Sequence, residues 1–137
     1  MTDMTWQQLD DHLTLVEKLT EARELVQGLR ASLGLKAQNL SGMPRGSGVG
    51  NVVANATVEI NRLEERLEKL AALVEKSQKP IEEWIDSIDS YYTQTILRLR
   101  FLYGLSWKEV ADTVGGKNTV DSVKMVCYRL FPQNPVP

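Results

Sequence analysis

The sequence predicts an all-α fold, in which a long, coiled-coil-like helical hairpin is followed by a domain of short helices. Apolar residues recur every three or four positions along two long stretches. No segment shows the apolar-polar alternation that is typical of a half-buried strand. We therefore expect two domains, with residues 1–78 forming the hairpin and residues 79–137 forming the C-terminal domain.

The first predicted helix runs from Thr5 to Leu33. Its main apolar row contains Leu15, Leu19, Ala22, Val26, Leu29 and Leu33, and a second short row contains Trp6, Leu9, Leu13 and Val16. Gly34 is expected to end this helix, because glycine readily adopts the left-handed conformation found at helix C-termini.

The second predicted helix has the most regular pattern in the chain. Its apolar residues follow a heptad spacing and are Val53, Ala56, Ile60, Leu63, Leu67, Leu70 and Val74. The two helices are expected to fold back on each other as an antiparallel hairpin or to pair between subunits, and the sequence favours neither arrangement. A homo-oligomer held by these heptad helices is the expected assembly.

A glycine-rich segment, residues 34–51, is expected to be the loop of the hairpin, because its crowded Gly and Pro residues oppose regular structure. The motif GSGVGN within it lacks the Lys-Ser/Thr ending of a nucleotide-binding loop.

Pro80 is expected to begin a third helix, since a proline costs little in a first turn. Trp84, Ile85 and Ile88 would form the inner face of that helix.

Composition argues against several classes of function. Cys127 and His12 are single residues of their types, so we expect no protein-built metal site. No nucleophile with its base is recognisable, and we expect neither an enzyme nor a bound cofactor. There is no run of 18 apolar residues, and the first residues are acidic and polar. We therefore expect no contact with a membrane and a location in the cytoplasm.

The region from Tyr91 to Phe131 is predicted to form three short helices in a helix-turn-helix arrangement. The first ends at Gly104, Ser106 with Glu109 caps the second, and Asn118 or Thr119 caps the third. Gly115 and Gly116 separate the last two helices. The predicted buried residues of these two helices are Val110, Ala111, Val114, Val123, Val126, Cys127 and Leu130. In such a motif the last helix enters the major groove of double-stranded DNA.

Charge supports this interpretation to a modest extent. Residues 1–88 carry 10 Lys/Arg and 14 Asp/Glu, whereas residues 89–137 carry 6 and 4, a surplus of two positive charges. The predicted base-facing residues are Asp121, Ser122, Lys124 and Met125, and the predicted phosphate contacts are Lys108, Lys117 and Arg129. Thr119 and Tyr128 complete the predicted DNA-binding set. On periodicity alone, the same polar face is equally well explained as ordinary solvated surface.

The stretch LRLRFLYGLSWKEVADTVGG…TVDSVKMVCYRLF resembles the C-terminal promoter-reading domain (region 4) of housekeeping-type sigma factors. The matching residues are Arg100, Tyr103, Gly104, Ser106, Glu109, Val110, Ala111, Val123, Lys124 and Arg129. With the helical hairpin and its Gly-Met-Pro-Arg-Gly loop, the whole chain resembles small phage and prophage late-transcription regulators of the ArpU/RinA-like type. This resemblance implies a sigma-like activator of late genes that works with the host RNA polymerase.

The sequence departs from the sigma pattern in two ways. The turn Gly115-Gly116-Lys117-Asn118 is longer than usual, so the register of the recognition helix is open, and the domain by which a full sigma factor opens a promoter is missing. Two alternatives also stay open. The module could bind RNA polymerase or another protein without reading DNA, or the chain could be a small-terminase-like subunit of a DNA packaging machine. The operator sequence, and the choice between activator and repressor, are not determined by the sequence.

Overall fold

The computed structural model describes residues 4–40 and 47–132. Within these ranges it contains helices and no strand, which confirms the all-α prediction. The helices are α1 (Trp6–Leu40), α2 (Ser47–Asp86), α3 (Tyr91–Leu97), α4 (Trp107–Val114) and α5 (Val120–Tyr128), and a π-helical turn (Arg98–Leu102) continues α3.

Both long helices extend beyond their predicted ends. α1 passes Gly34 and continues to Leu40, and α2 already begins at Ser47, so the prediction of a loop over residues 34–51 is wrong at both ends. Leucine, lysine, alanine and glutamine follow Gly34, and these good helix formers offset the cost of about 1 kcal/mol for one helical glycine. The Gly-Met-Pro-Arg-Gly motif at residues 42–46 lies outside the described residues.

Pro80 lies inside α2 and does not begin a helix, so this prediction is also wrong. A proline in a helix interior costs about 3 kcal/mol or more. Ile81 and Ile85 follow it on the same helix and are almost completely buried, at 2% and 0% exposure. Because burial of each isoleucine contributes about 1.5–3 kcal/mol, their packing outweighs the local cost of the proline.

One compact unit, which we call the hairpin unit, comprises Lys18–Ala72 and contains parts of α1 and α2. Leu19, Val26 and Ile60 are buried in it, and the other members of the main apolar row of α1 and of the heptad row of α2 that lie within this range are half-buried. The guanidinium of Arg30 contacts the carboxylate of Glu64 on the other helix. Since an exposed ion pair contributes at most about 1 kcal/mol, the apolar rows hold the two helices together within one chain.

A second compact unit, the trihelical unit, comprises Met1–Glu17 and Leu73–Pro137. Its core combines residues from the start of α1 and the end of α2 with residues from α3, α4 and α5, and it includes Leu9, Leu13, Ile81, Ile85, Ile96, Leu97, Phe101, Val110, Val123 and Cys127. The contacts therefore divide the chain differently from the expected 1–78 and 79–137. Residues 1–17 join the C-terminal helices because the short apolar row of α1 is buried among them.

Trp6 links the start of α1 to the C-terminal helices through its ring. The ring centroid lies 5.6 Å from that of Phe101, 5.3 Å from that of Tyr128 and 5.8 Å from that of Phe131, each in an edge-to-face arrangement. Such aromatic pairs contribute about 0.5–1.5 kcal/mol each beyond the burial of their surface. The first turn of α1 therefore packs against the C-terminal end of α5.

His12 is a buried polar residue in the same unit, with 1% of its surface exposed. Its Nδ1 is hydrogen-bonded to the hydroxyl of Ser77, and that hydroxyl donates to the carbonyl of Val74 at 3.2 Å. The Ser77 oxygen must then accept from His12, so the proton of the neutral imidazole is assigned to Nδ1. Nε2 is buried and has no hydrogen-bond partner within the described part of the chain. Burial lowers the pKa of His12, with a smaller opposing effect from Glu82.

This burial predicts an acid-sensitive fold. The unfolded chain takes up a proton at His12 below about pH 6.5, while the folded protein resists it, so the contribution of a neutral His12 is complete above that pH and is lost as the pH falls. Urea unfolding at pH 7.5 and pH 5.5 should show a larger loss for the natural protein than for His12→Gln, which cannot be protonated. Glu82 and Asp11, the acidic neighbours, are present in both proteins. Equal losses would contradict the prediction.

Candidate nucleic-acid interface

The start of α4 is fixed by a reciprocal pair of hydrogen bonds. The backbone N–H of Glu109 donates to the Ser106 hydroxyl at 3.1 Å, and the backbone N–H of Ser106 donates to the Glu109 carboxylate at 3.0 Å. The second of these bonds lowers the pKa of Glu109, because it stabilises the charged carboxylate. The predicted capping box of α4 is therefore confirmed.

Gly104 ends the helical segment that precedes α4, as predicted, and glycine is required there for two reasons. Its φ angle is +74°, a left-handed conformation that other residues rarely adopt. A Cβ atom at this position would also lie 3.0 Å from Cγ1 of Val16 on α1. The chain can therefore turn toward α4 close to α1 only with glycine.

Arg100, part of the sigma-like pattern, acts within the trihelical unit. Its guanidinium donates to the carbonyl of Leu105 at 2.9 Å and lies 4.7 Å from the centroid of the Trp107 ring, which joins the π-helical turn to α4.

Burial raises the pKa of the Cys127 thiol to about 12, with a smaller opposing effect from Arg100. Cys127 is completely buried in the core, as predicted.

The turn between α4 and α5 contains two glycines in the left-handed region, Gly115 at φ +73° and Gly116 at φ +63°. These angles end α4 and allow α5 to pack against it, and the predicted break is confirmed. Thr119 is the N-cap of α5: its hydroxyl accepts from the backbone N–H of Ser122 at 3.1 Å. The Ser122 hydroxyl in turn accepts from the backbone N–H of Thr119 at 2.8 Å.

α5 has two distinct faces. Val123 and Cys127 are completely buried on the inner face. Asp121, Met125 and Arg129 are spaced four residues apart, so they share one side of the helix, and all three are exposed. We call this stripe the outer face of α5. The half-buried Ser122 and Lys124 belong to the same helix, and the structure therefore places all four predicted base-facing residues on α5.

The predicted phosphate contacts lie at three places. Lys117 is exposed in the turn that leads into α5, Arg129 directly follows α5, and Lys108 is exposed in the first turn of α4. Thr119, the N-cap of α5, is also exposed. In the described ranges, the ion pairs join other side chains and do not involve these three cations or Lys124. Because Lys108, Lys117 and Arg129 are also exposed, their charges are accessible to an anion.

Tyr128 belongs to the predicted DNA-binding residues, but its ring packs against another side chain of the protein. It is half-buried, and its ring packs on Trp6 as described above. Trp6 itself supports the candidate interface and was not predicted to do so. The sequence contains the signal, a short apolar row at Trp6, Leu9 and Leu13, but it does not show which helices that row contacts.

Comparison with known proteins gives no match: no protein-family model, curated protein or solved structure is significantly similar to the chain. In residues 4–40 and 47–132, none of the helices combines the length and apolar character needed to cross a membrane. The same residues contain no group of three or more His, Cys, Asp or Glu side chains placed to hold a metal ion.

Proposed function

We propose that the chain is a sequence-specific DNA-binding protein that regulates transcription, with α5 as its recognition helix. The observation that carries this proposal is the two-sided character of α5. Its inner face is fixed by Val123 and Cys127 in the core, while a capped N-terminus and an outer face of mixed polar chemistry are left to solvent. A helix of this kind fits the major groove and enters it N-terminus first.

The side chains of α5 have the chemistry for base recognition. The Lys124 ammonium can donate to guanine O6 and N7, the Asp121 carboxylate can accept from the cytosine amino group, and Met125 can contact a thymine methyl group. Lys117, Arg129 and Lys108 can bind phosphates and so fix the register of the helix on the duplex. Base contacts and phosphate contacts together would give sequence-specific binding.

A partner is part of this proposal. The C-terminal region has a surplus of only two positive charges, so one copy would neutralise few phosphates and would bind weakly. Tight binding then needs a second copy of the chain or RNA polymerase on the same DNA. The resemblance to sigma-type and phage late-gene regulators supports RNA polymerase as that partner and activation of late genes as the role.

Two alanine variants of the full chain test the proposal on a DNA site selected from a random pool. Lys124→Ala is expected to cost about 1–3 kcal/mol of specific binding and to relax the preference at one base position. Lys117→Ala is expected to weaken binding to all sequences alike and to reduce the slope of log affinity against log salt by about one. Fluorescence anisotropy at several salt concentrations measures both effects.

Lys69→Ala is the matched control, because it removes the same charge from an exposed position in the hairpin unit. Its affinity for DNA should equal that of the natural protein. A full chain that selects no site and binds no DNA at low salt would refute the proposal. That result would favour the protein-interaction alternative.

A further inference from the structure

The long turn between α4 and α5 is closed by the side chain of Asn118. Its Nδ2 donates to the carbonyl of Gly115 at 2.7 Å, and its backbone N–H donates to the same carbonyl at 3.3 Å. Glycines are flexible, and two in succession would leave the following helix loosely held. Asn118 therefore restrains a turn that the sigma-like pattern does not contain at this length.

Asn118 is also bound to a distant helix. The hydroxyl of Tyr92 donates to Oδ1 of Asn118, across 26 residues of sequence. Tyr92 lies in the first turn of α3, and α3 packs directly against α5. The Asn118 amide thus uses its donor on the turn and its acceptor on α3, so that one side chain ties the two together.

We infer that the Tyr92–Asn118 pair is a positioning device that sets the angle of α5 and thereby the sequence specificity of DNA binding. The inference rests on the proposed function. Thr119, the N-cap of α5, directly follows Asn118, so a shift of Asn118 moves the end of α5 that would enter the groove. Tyr92 acts through Asn118 and needs no contact with DNA.

Specific and non-specific binding should respond differently to this device. Non-specific binding depends on the number of phosphate-binding cations, which the pair does not change. Hydrogen bonds to base edges weaken steeply when distance and angle are wrong. Loosening α5 should therefore reduce the ratio of specific to non-specific affinity, whereas a general loss of folded protein would reduce both affinities together.

Tyr92→Phe in the full chain tests the inference by removing one hydroxyl. We expect specific affinity to fall about three- to tenfold, the effect of one hydrogen bond, while non-specific affinity stays unchanged. Tyr91→Phe is the matched control, since this neighbouring hydroxyl belongs to a side chain that is 82% exposed. Because the two residues act through one bond, Tyr92→Phe should have no further effect on the affinity ratio in an Asn118→Ala background.

The free protein gives a second readout that does not depend on DNA. The backbone amide proton of Asn118 should exchange faster with solvent in Tyr92→Phe than in Tyr91→Phe. If the natural protein binds one site specifically and Tyr92→Phe keeps the same affinity ratio, the inference is wrong and the proposed function stands. If the natural protein shows no sequence preference, both are wrong.

Discussion

Replacing Trp6 with alanine is expected to destabilise the trihelical unit by about 2–3 kcal/mol, less than the roughly 3–5 kcal/mol typical of a fully buried aromatic side chain, because Trp6 is only half-buried. The ring contacts Phe101, Tyr128 and Phe131, so its loss removes three aromatic contacts and exposes apolar surface of these residues. This cost is a large share of the 5–15 kcal/mol by which a typical domain is stable. Specific DNA binding should fall with it, because α5 loses the packing of Trp6 at its C-terminal residue, Tyr128.

Urea denaturation followed by tryptophan fluorescence measures this effect, since Trp84 and Trp107 stay in the same unit as reporters. Gln7→Ala is the control: it lies on the same turn of α1 with an exposed side chain, and it should change stability by less than about 0.5 kcal/mol. A fragment of residues 79–137 should likewise be less stable than the same segment in the full chain. If Trp6→Ala proved as stable as Gln7→Ala, the start of α1 would have no structural role in this unit.

Features that depend on a few neighbouring residues could be predicted from the sequence. The sequence correctly predicts the capping box formed by Ser106 and Glu109, because its hydrogen bonds join residues only three positions apart. It also correctly predicts the helix ends at Gly104 and Gly115, because the positive φ angle of each glycine is a local property of that residue. For the cap of α5 the sequence predicts Asn118 or Thr119, and Thr119 is the N-cap in the structure. The residues of the candidate interface are likewise predicted from local patterns of this kind.

Features that depend on distant packing could not be predicted in this way. The row at Trp6, Leu9 and Leu13 was visible, but its burial with the C-terminal helices joins residues about a hundred positions apart. The hydrogen bond from Tyr92 to Asn118 likewise has no periodic signal. Local preference gives wrong helix ends at Gly34 and Pro80, because good helix formers follow Gly34 and the buried Ile81 and Ile85 follow Pro80.

Pro80→Ala is expected to raise the free energy of unfolding of the trihelical unit by about 2 kcal/mol. A helix-interior proline costs about 3 kcal/mol relative to alanine, since it cannot donate to the carbonyl of Lys76 and its ring crowds that carbonyl. Alanine gives back about 0.4–1 kcal/mol of this gain, because it makes the unfolded chain more flexible. Pro80 is exposed, so little packing is lost. Urea denaturation read by tryptophan fluorescence gives the change.

The same substitution distinguishes one continuous α2 from two separate helices. If a helix began at Pro80, the proline would occupy a first-turn position where it is favourable, and alanine would leave stability unchanged or slightly lower. Lys79→Ala at the adjacent exposed position is the control, because lysine and alanine differ little in helix propensity and neither interrupts α2. A gain at Pro80 without a gain at Lys79 would show that Ile81 and Ile85 hold the helix together across a residue that opposes it.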